Sequence, residues 1–189
     1  HSTNRLIDYA KTSGSSTAIN ANGTGPLTLG GGIISSEEGG TGGTKVLVLS
    51  GTSDPSIINR ITAPIVEVLG NLKIVKNDIN TWELAAASSF STLAVDQGKL
   101  IVSAPQNIAG SLFFGNTIPI TTTGTMVLNA DVTATTFGVN TDSTSANTLT
   151  IAAASSGGTV GGTGTAGRLT QWASGGANIE NSTLIKSGA

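Results

Sequence analysis

The chain has 189 residues, a formal net charge of −2 and no cysteine, and only 11 % of its residues are charged. A chain without cysteine has no disulfides, thiolate zinc sites or cysteine nucleophiles, and its scattered Lys and Arg form no basic stripe for nucleic acid. It contains 26 glycines, well above the roughly 7 % that is usual in globular proteins. Because 38 % of the residues are hydrophobic, we expect a folded rather than a disordered chain.

The predicted elements are all strands. No window keeps the apolar spacing of an amphipathic helix, whereas strand patterns recur about every 8–12 residues, as in a sandwich, barrel or solenoid. The predicted strands are 26–29, 45–49, 65–69, 72–75, 82–84, 92–95, 99–102, 111–114, 118–120, 125–128, 132–139 and 148–151. Turns are predicted at 70–71, 77–78, 96–98, 115–116 and 140–142. The runs 45–49 and 65–69 are almost entirely apolar, which predicts strands covered on both faces.

Three segments, at 4–10, 44–50 and 167–173, share one pattern. Each has a cationic residue, an aliphatic residue, two variable positions, a bulky apolar residue and a small one. A Gly/Ser/Thr turn and an isoleucine follow each copy. A pattern repeated along a chain favours a modular, elongated architecture over an active site.

Two glycine-rich stretches, 30–43 and 155–167, predict three domains. These are an N-terminal β-module at 1–43 ending in a glycine-rich linker, a central multi-strand β-module at 44–154, and a linker with a C-terminal repeat at 155–189. Neither stretch leads into a Lys-Ser/Thr pair or a helix, so we interpret both as flexible connections rather than phosphate-binding loops. Because the chain opens on His1-Ser2 without methionine, we expect a processed chain or a segment that continues further.

Residues that could support catalysis are few. His1 is the single histidine and lies at the terminus, which disfavours Ser-His-Asp and metal-histidine chemistry. A glycan-cleaving site needs two carboxylates about 5–9.5 Å apart. The candidates are Glu37 with Glu38, Asp78 with Glu83, and Asp96 or Asp131 with one of these. Most lie in loops or turns, where carboxylates are commonly solvated or bonded to backbone amides, and 142–145 does not match a calcium loop. We therefore predict no catalytic, cofactor-binding or metal-binding residue, and no enzyme.

Three aromatic residues, Tyr9, Trp82 and Trp172, have a flat apolar face that could stack on a sugar ring. Tyr9, Leu49 and Trp172 occupy the same position of the shared pattern, which favours packing in the core or at a subunit interface. Trp82 has no such counterpart, and both interpretations stay open for it.

The segment 162–185 has a Gly-Thr-rich lead, Gly167-Arg168-Leu169-Thr170-Gln171-Trp172, and then 178–185 with Ile179 and Asn181-Ser182. It resembles a segment of bacteriophage tail-fibre and other virion fibre proteins, and 4–19 resembles a second copy with Tyr9 in the Trp place. Residues 64–74 are similar to strands that fill the shafts of such fibres. The resemblance implies a homotrimer of intertwined or stacked β-modules on the virion surface. Its partners would be tail or capsid proteins and a host glycan or protein receptor, with no membrane insertion.

A second resemblance covers 80–102. Asn80-Thr81-Trp82-Glu83-Leu84, together with 90–95 and 98–102, is similar to the β-strand repeat of bacterial autotransporter passengers. The usual Asn-Thr-Tyr-x-Gly core is replaced here by 85–90. This resemblance implies a secreted or surface-displayed adhesin, which would be a single-chain β-helix.

Energetics favour an oligomer. Burying one Val or Leu side chain contributes about 1.5–3 kcal/mol, whereas ordering one residue costs about 1–2 kcal/mol of backbone entropy. An aromatic-poor module gains little alone, and three copies along one axis would share a core and cover strand edges. The leading hypothesis is an all-β, elongated, trimeric virion fibre segment that carries a receptor-binding tip. The adhesin is the second hypothesis, and a polysaccharide depolymerase is the third.

Overall fold

The computed structural model describes residues 1–9, 14–36, 43–114, 124–139, 148–151, 170–172 and 179–181. Every regular element within these ranges is a β-strand, so the prediction of an all-β chain is confirmed. The predicted strand 118–120 and the predicted turns 115–116 and 140–142 lie outside the described residues.

The chain divides into two compact units, His1–Ala152 and Ala153–Ala189. The predicted boundary between residues 43 and 44 falls inside the first unit, whose strands pair across it. The three predicted domains stay a prediction.

Among the described residues, sixteen strands belong to the first unit and two to the second. The strands of the first unit are β1 (Ser2–Thr3), β2 (Ile7–Asp8), β3 (Ser16–Asn20), β4 (Thr28–Leu29), β5 (Ile33–Ser35), β6 (Thr44–Ser50), β7 (Ile58–Ile61), β8 (Ile65–Glu67), β9 (Asn71–Lys76), β10 (Thr81–Leu84), β11 (Ser88–Val95), β12 (Gly98–Val102), β13 (Gln106–Phe114), β14 (Gly124–Leu128), β15 (Val132–Val139) and β16 (Thr148–Ile151). In the second unit, β17 (Thr170–Trp172) and β18 (Ile179–Asn181) form an antiparallel pair.

Two parallel sheets make up the first unit. One has seven strands in the order β1-β4-β7-β10-β12-β14-β16. The other has nine, in the order β2-β5-β8-β11-β9-β6-β3, with β13 beside β11 and β15 beside β13. Strands that follow each other in sequence do not pair among these sixteen; each pairs with strands at least two elements away, as parallel pairing requires.

The pairing register of both sheets places aliphatic side chains of neighbouring strands directly opposite one another. In the seven-stranded sheet, a row of directly paired residues runs through Leu29, Ile61, Leu84, Val102 and Leu128. In the nine-stranded sheet, a second row runs through Leu47, Ile74, Leu93 and Leu112. We call these rows the first and second aliphatic ladders.

One hydrophobic core contains residues of both ladders and both sheets. Ile74, Leu93 and Leu100 are completely buried, as is Trp82. Successive strand residues point to opposite faces, so only one side of each strand contributes to this core. The ladders therefore place every second residue inside.

The prediction that 45–49 and 65–69 are covered on both faces is wrong for the second run. Ile65 is fully buried, but Val66, Val68 and Leu69 are 39 %, 56 % and 54 % exposed. Strand β8 ends at Glu67, so Val68 and Leu69 belong to the turn that follows it. In β6 the inward residues are buried and the alternate ones only half-buried.

Strand β11 pairs with two different strands, β8 along its first half and β9 along its second half. Its Ser89 pairs with Val66 of β8, and its Thr92 pairs with Lys73 of β9. The register of β11 against β13 shifts between these halves, because Ser91 lies opposite two residues of β13, Ala109 and Gly110, which form a bulge. The Glu67 carboxylate accepts hydrogen bonds from Ser91 N and Oγ, both at 2.9 Å, and from Leu72 N at 2.5 Å. Glu67 therefore ties the turn after β8 to the middle of β11, opposite the bulge.

The first two segments that share the sequence pattern, 4–10 and 44–50, are not aligned with each other in the sheets. Arg5 precedes β2, whereas Lys45 lies in β6, and these strands do not pair with each other. Val46 is aligned instead with Ser16 of β3 and Lys73 of β9. What recurs in three dimensions is the aliphatic ladder rather than the cationic pattern.

Candidate functional site

The carboxylates of interest in the sequence are engaged separately. Asp78 lies in the turn after β9 with a φ of 61°, a left-handed conformation that Asp tolerates better than most residues. Its Oδ2 accepts a hydrogen bond from Gly51 N at 3.2 Å. Asp78 is thus the turn-stabilising carboxylate that its sequence context indicates.

Glu83 lies on β10 directly opposite Arg60 of β7. The two side chains form an ion pair, with Arg60 Nε 2.7 Å from Glu83 Oε2. The Glu83 side chain is only 15 % exposed and the Arg60 side chain 43 %. The Glu83 carboxylate is paired with Arg60 and not with Asp78.

Asp96 and Asp131 occur in different turns. Burial raises the pKa of Asp96, and the positive charge of Lys73 acts in the opposite direction. Asp131 is exposed, and its backbone oxygen accepts a hydrogen bond from Gln106 N at 2.9 Å. Glu37 and Glu38 lie outside the described residues. Within the described ranges, no three His, Asp or Glu side chains come together as a metal site would require.

Two of the candidate aromatic residues belong to the interior. Trp82 is completely buried, and its Nε1 donates to Ser50 O at 3.4 Å. Tyr9 is 5 % exposed, with its hydroxyl 2.9 Å from Ser15 O and 3.1 Å from Val46 O. Neither ring presents a face to a sugar. The packing interpretation therefore holds for Tyr9 and decides the open case of Trp82; the Trp172 side chain lies outside what is described.

A buried lysine is the main feature that the sequence did not reveal. Lys76, the last residue of β9, has no exposed surface. Its Nζ donates to three backbone oxygens, those of Asn77 at 2.5 Å, Asp78 at 2.7 Å and Gln97 at 3.1 Å. One side chain therefore links the turn after β9 to the turn after β11. The only sequence signal is its position in the strand. Lys76 lies two residues after Ile74 and four after Leu72, so it points to the same face as these buried residues.

Burial lowers the pKa of Lys76 from 10.5 to about 7, while the charge of Asp78 acts to raise it. The cause is the cost of desolvating an ammonium group. The three carbonyl oxygens supply one acceptor for each N–H of that group. Lys76 is therefore a structural cross-link whose charge is expensive to keep.

Lys45 makes a comparable connection at the start of β6. It is also fully buried, and its Nζ donates to Ser36 O at 2.6 Å and Ser35 Oγ at 3.2 Å. The residue that occupies its place in the first sequence copy, Arg5, is exposed. The two cations thus have different roles despite the shared pattern.

Buried polar side chains add further hydrogen bonds near these turns. Ser50 O accepts hydrogen bonds from Ala21 N and Asn80 Nδ2, both at 2.9 Å, in addition to Trp82 Nε1. Asn59 is completely buried; its Nδ2 donates to Thr81 O at 3.0 Å and its Oδ1 accepts from Leu27 N at 3.0 Å. These side chains satisfy main-chain groups rather than forming a reactive constellation.

An open cleft of about 490 Å³ lies beside the first strands. It is lined by Ser2, Thr3, Asn4, Arg5, Thr28 and Gly30. Arg5 is the only charged residue among them. The cleft offers hydroxyl, amide and guanidinium groups, which suit hydrogen bonding to a polar surface ligand.

No family model, curated protein or solved structure matches this chain. Within the part of the chain that the structure describes, no helix is long and apolar enough to cross a membrane. The geometry on which a functional argument can draw is therefore that of the parallel ladders and their turn cross-links.

Proposed function

We propose that the first unit is a β-solenoid that serves as a rigid spacer in an attachment fibre outside the cell. Its coils would be β1–β3, β4–β6, β7–β9, β10–β11, β12–β13 and β14–β15. The observation that carries this proposal is the in-register parallel pairing of strands from successive coils in both sheets. Each coil would extend the unit by one strand spacing, about 4.8 Å.

Such an arrangement suits mechanical work. Backbone hydrogen bonds between parallel strands would run along the solenoid axis, so a pull along that axis loads many bonds together. The aliphatic ladders bury a continuous core, and Lys45, Lys76 and Glu67 connect neighbouring turns. A chain that is poor in charge and lacks disulfides would gain its stiffness from this repetition.

The leading form of the proposal is a virion tail-fibre or tail-spike segment. Its partners would be further copies of the chain in a homotrimer, and other tail or capsid proteins. The distal receptor-binding part would contact a host glycan or protein. The buried core of a single chain favours three stacked solenoids over three intertwined chains, because Leu93, Leu100 and Trp82 are already fully covered.

The second candidate is a secreted or surface-displayed adhesin with a monomeric β-helix. The same single-chain core favours it, since no partner is needed to bury these side chains. So does the direct pairing of β10 with β12, where Trp82 aligns with Leu100, within the segment that resembles autotransporter repeats. The two candidates share the architecture and differ in oligomeric state and anchor.

The register can be tested by disulfide trapping, because the chain has no cysteine of its own. Lys99 of β12 and Thr125 of β14 are direct partners on the outer face, so K99C/T125C should form a disulfide on oxidation. The offset pair K99C/V127C is the matched control and should stay reduced. Preferential trapping of the offset pair, or equal trapping of both, would refute the solenoid register.

Native mass spectrometry and electron microscopy then separate the two candidates. A species at three times the mass of one 18.7 kDa chain, decorating a virus particle when antibodies to the segment are applied, is expected for a virion fibre. A stable monomer displayed on bacterial cells would favour the adhesin. A soluble monomer found on neither surface would count against both.

A further inference from the structure

The turn between β3 and β4 contains Asn22-Gly23, the single Asn-Gly dipeptide in the sequence. Asn22 and Gly23 are both exposed. An added side chain at Gly23 would meet nothing closer than 4.0 Å, and both of those contacts are with Gly25, two residues on. The backbone here has room to change conformation.

The main-chain nitrogen of Gly23 is free of hydrogen bonds among the described residues. It is the next main-chain nitrogen after Asn22, so its bond to the side-chain amide carbon of Asn22 would close a five-membered ring. Because glycine has no side chain, it gives little steric resistance to the rotation that brings this nitrogen onto that carbon.

Thr52, from the turn after β6, is placed to polarise the amide. Asn22 Oδ1 accepts a hydrogen bond from Thr52 N at 3.0 Å, and Thr52 Oγ1 lies 3.5 Å from the same oxygen. Negative charge would develop on this oxygen when a nucleophile adds to the amide carbon. Donors held at such an oxygen lower the barrier to addition.

We propose that Asn22 is a site of spontaneous deamidation assisted by Thr52. The Gly23 nitrogen forms a bond to Cγ of Asn22 and gives its proton to solvent. The side-chain nitrogen takes up a proton and leaves as ammonia, which produces a cyclic imide. Water opens either carbonyl of that ring, giving aspartate or isoaspartate, and no oxidant or reductant is involved.

The product would weaken contacts between neighbouring turns. A carboxylate at position 22 would face a turn in which Asp78 already accepts from Gly51 N, next to Thr52. Asp54 lies two residues beyond Thr52 and adds a further negative charge. The isoaspartate form also lengthens the main chain between β3 and β4. Age would therefore loosen β3 from β6.

The test is peptide mapping by mass spectrometry on the full chain after incubation at mildly alkaline pH. We expect the peptide containing Asn22 to change first, gaining the mass of OH in place of NH2, and to become a substrate for an isoaspartate methyltransferase. T52P removes the backbone N–H that donates at 3.0 Å and should slow conversion severalfold, whereas T52A, which keeps that N–H and removes only the hydroxyl at 3.5 Å, should stay near the wild-type rate. Circular dichroism verifies that each variant is folded.

G23A provides a second measurement that leaves Thr52 untouched and should also slow conversion. The proposal is overturned if another asparagine changes before Asn22 or if Asn22 stays intact. It is also overturned if folded T52P converts as fast as the wild type, because flexibility alone would then account for the reaction.

Discussion

The buried charge of Lys76 predicts an unusual dependence of stability on pH. The folded-state pKa is about 7, against 10.5 for a free lysine. The unfolded chain therefore binds more protons than the folded chain between these values. The unfolding free energy should rise as the pH increases from about 7 to about 10, and this contribution should be flat below pH 7.

The size of this pH effect follows from the difference between the folded-state pKa of Lys76 and the pKa of a free lysine. Each pKa unit corresponds to about 1.4 kcal/mol, so the whole window is worth at most about 5 kcal/mol. The slope contributed by this residue should approach about 1.4 kcal/mol per pH unit. Most acidic residues are fully ionised throughout this window, which leaves the effect easy to isolate.

Urea unfolding followed by circular dichroism at a series of pH values measures the slope directly. Lys76→Met should abolish this slope and should lower stability most near pH 10, where the wild type no longer bears the desolvation cost and the variant leaves the oxygens of Asn77, Asp78 and Gln97 without their donor. Lys99→Met, at an exposed site on β12, should keep the wild-type slope. Identical slopes in wild type and Lys76→Met, or a slope of opposite sign, would refute the argument.

Three further substitutions test the turns and the core by chemical unfolding. Gly98→Ala should destabilise the first unit by several kcal/mol or prevent folding, because Gly98 has a φ of 72° and its added Cβ would lie 2.1 Å from a backbone oxygen; Gly25→Ala, with nothing within 4 Å, should be nearly neutral. Trp82→Ala should cost about 3–5 kcal/mol, and a loss below about 1 kcal/mol would contradict its place in the core. Glu67→Gln should cost about 1–3 kcal/mol by removing the charged acceptor of the Ser91 hydrogen bonds, whereas a neutral result would mean that water replaces it.

Strands with a full alternating or apolar run were predictable, although only the second halves of β11 and β13 were predicted, as 92–95 and 111–114. The predicted segments 132–139 and 148–151 have the same bounds as β15 and β16. Short strands were missed, and β7 shows why. Its inward residues are Asn59 and Ile61, so a polar side chain occupies a core position and breaks the pattern on which the sequence argument relies. Strands β3 and β5 were also missed.

The buried lysines were missed for a related reason. Lysine is almost never fully buried unless its charge has partners, so sequence reasoning assigns it to the surface. For Lys76 those partners are main-chain oxygens, which no residue identity reveals. The parallel register was equally hidden, since it joins Leu29 to Ile61 and Leu84 to Val102 across very different sequence separations.

The sequence separations between paired ladder residues bear on the proposed function. Successive members of the first ladder are between 18 residues (Leu84 to Val102) and 32 residues (Leu29 to Ile61) apart, yet they stay in register. The turns absorb the difference: residues 68–70 separate β8 from β9, whereas β11 is one continuous strand whose two halves pair with β8 and with β9. Lengthening a loop costs little entropy, whereas a polar residue in a ladder loses core burial. If the first unit is the spacer proposed above, its outer turns could vary for contact with partners or receptors while the ladders keep it stiff.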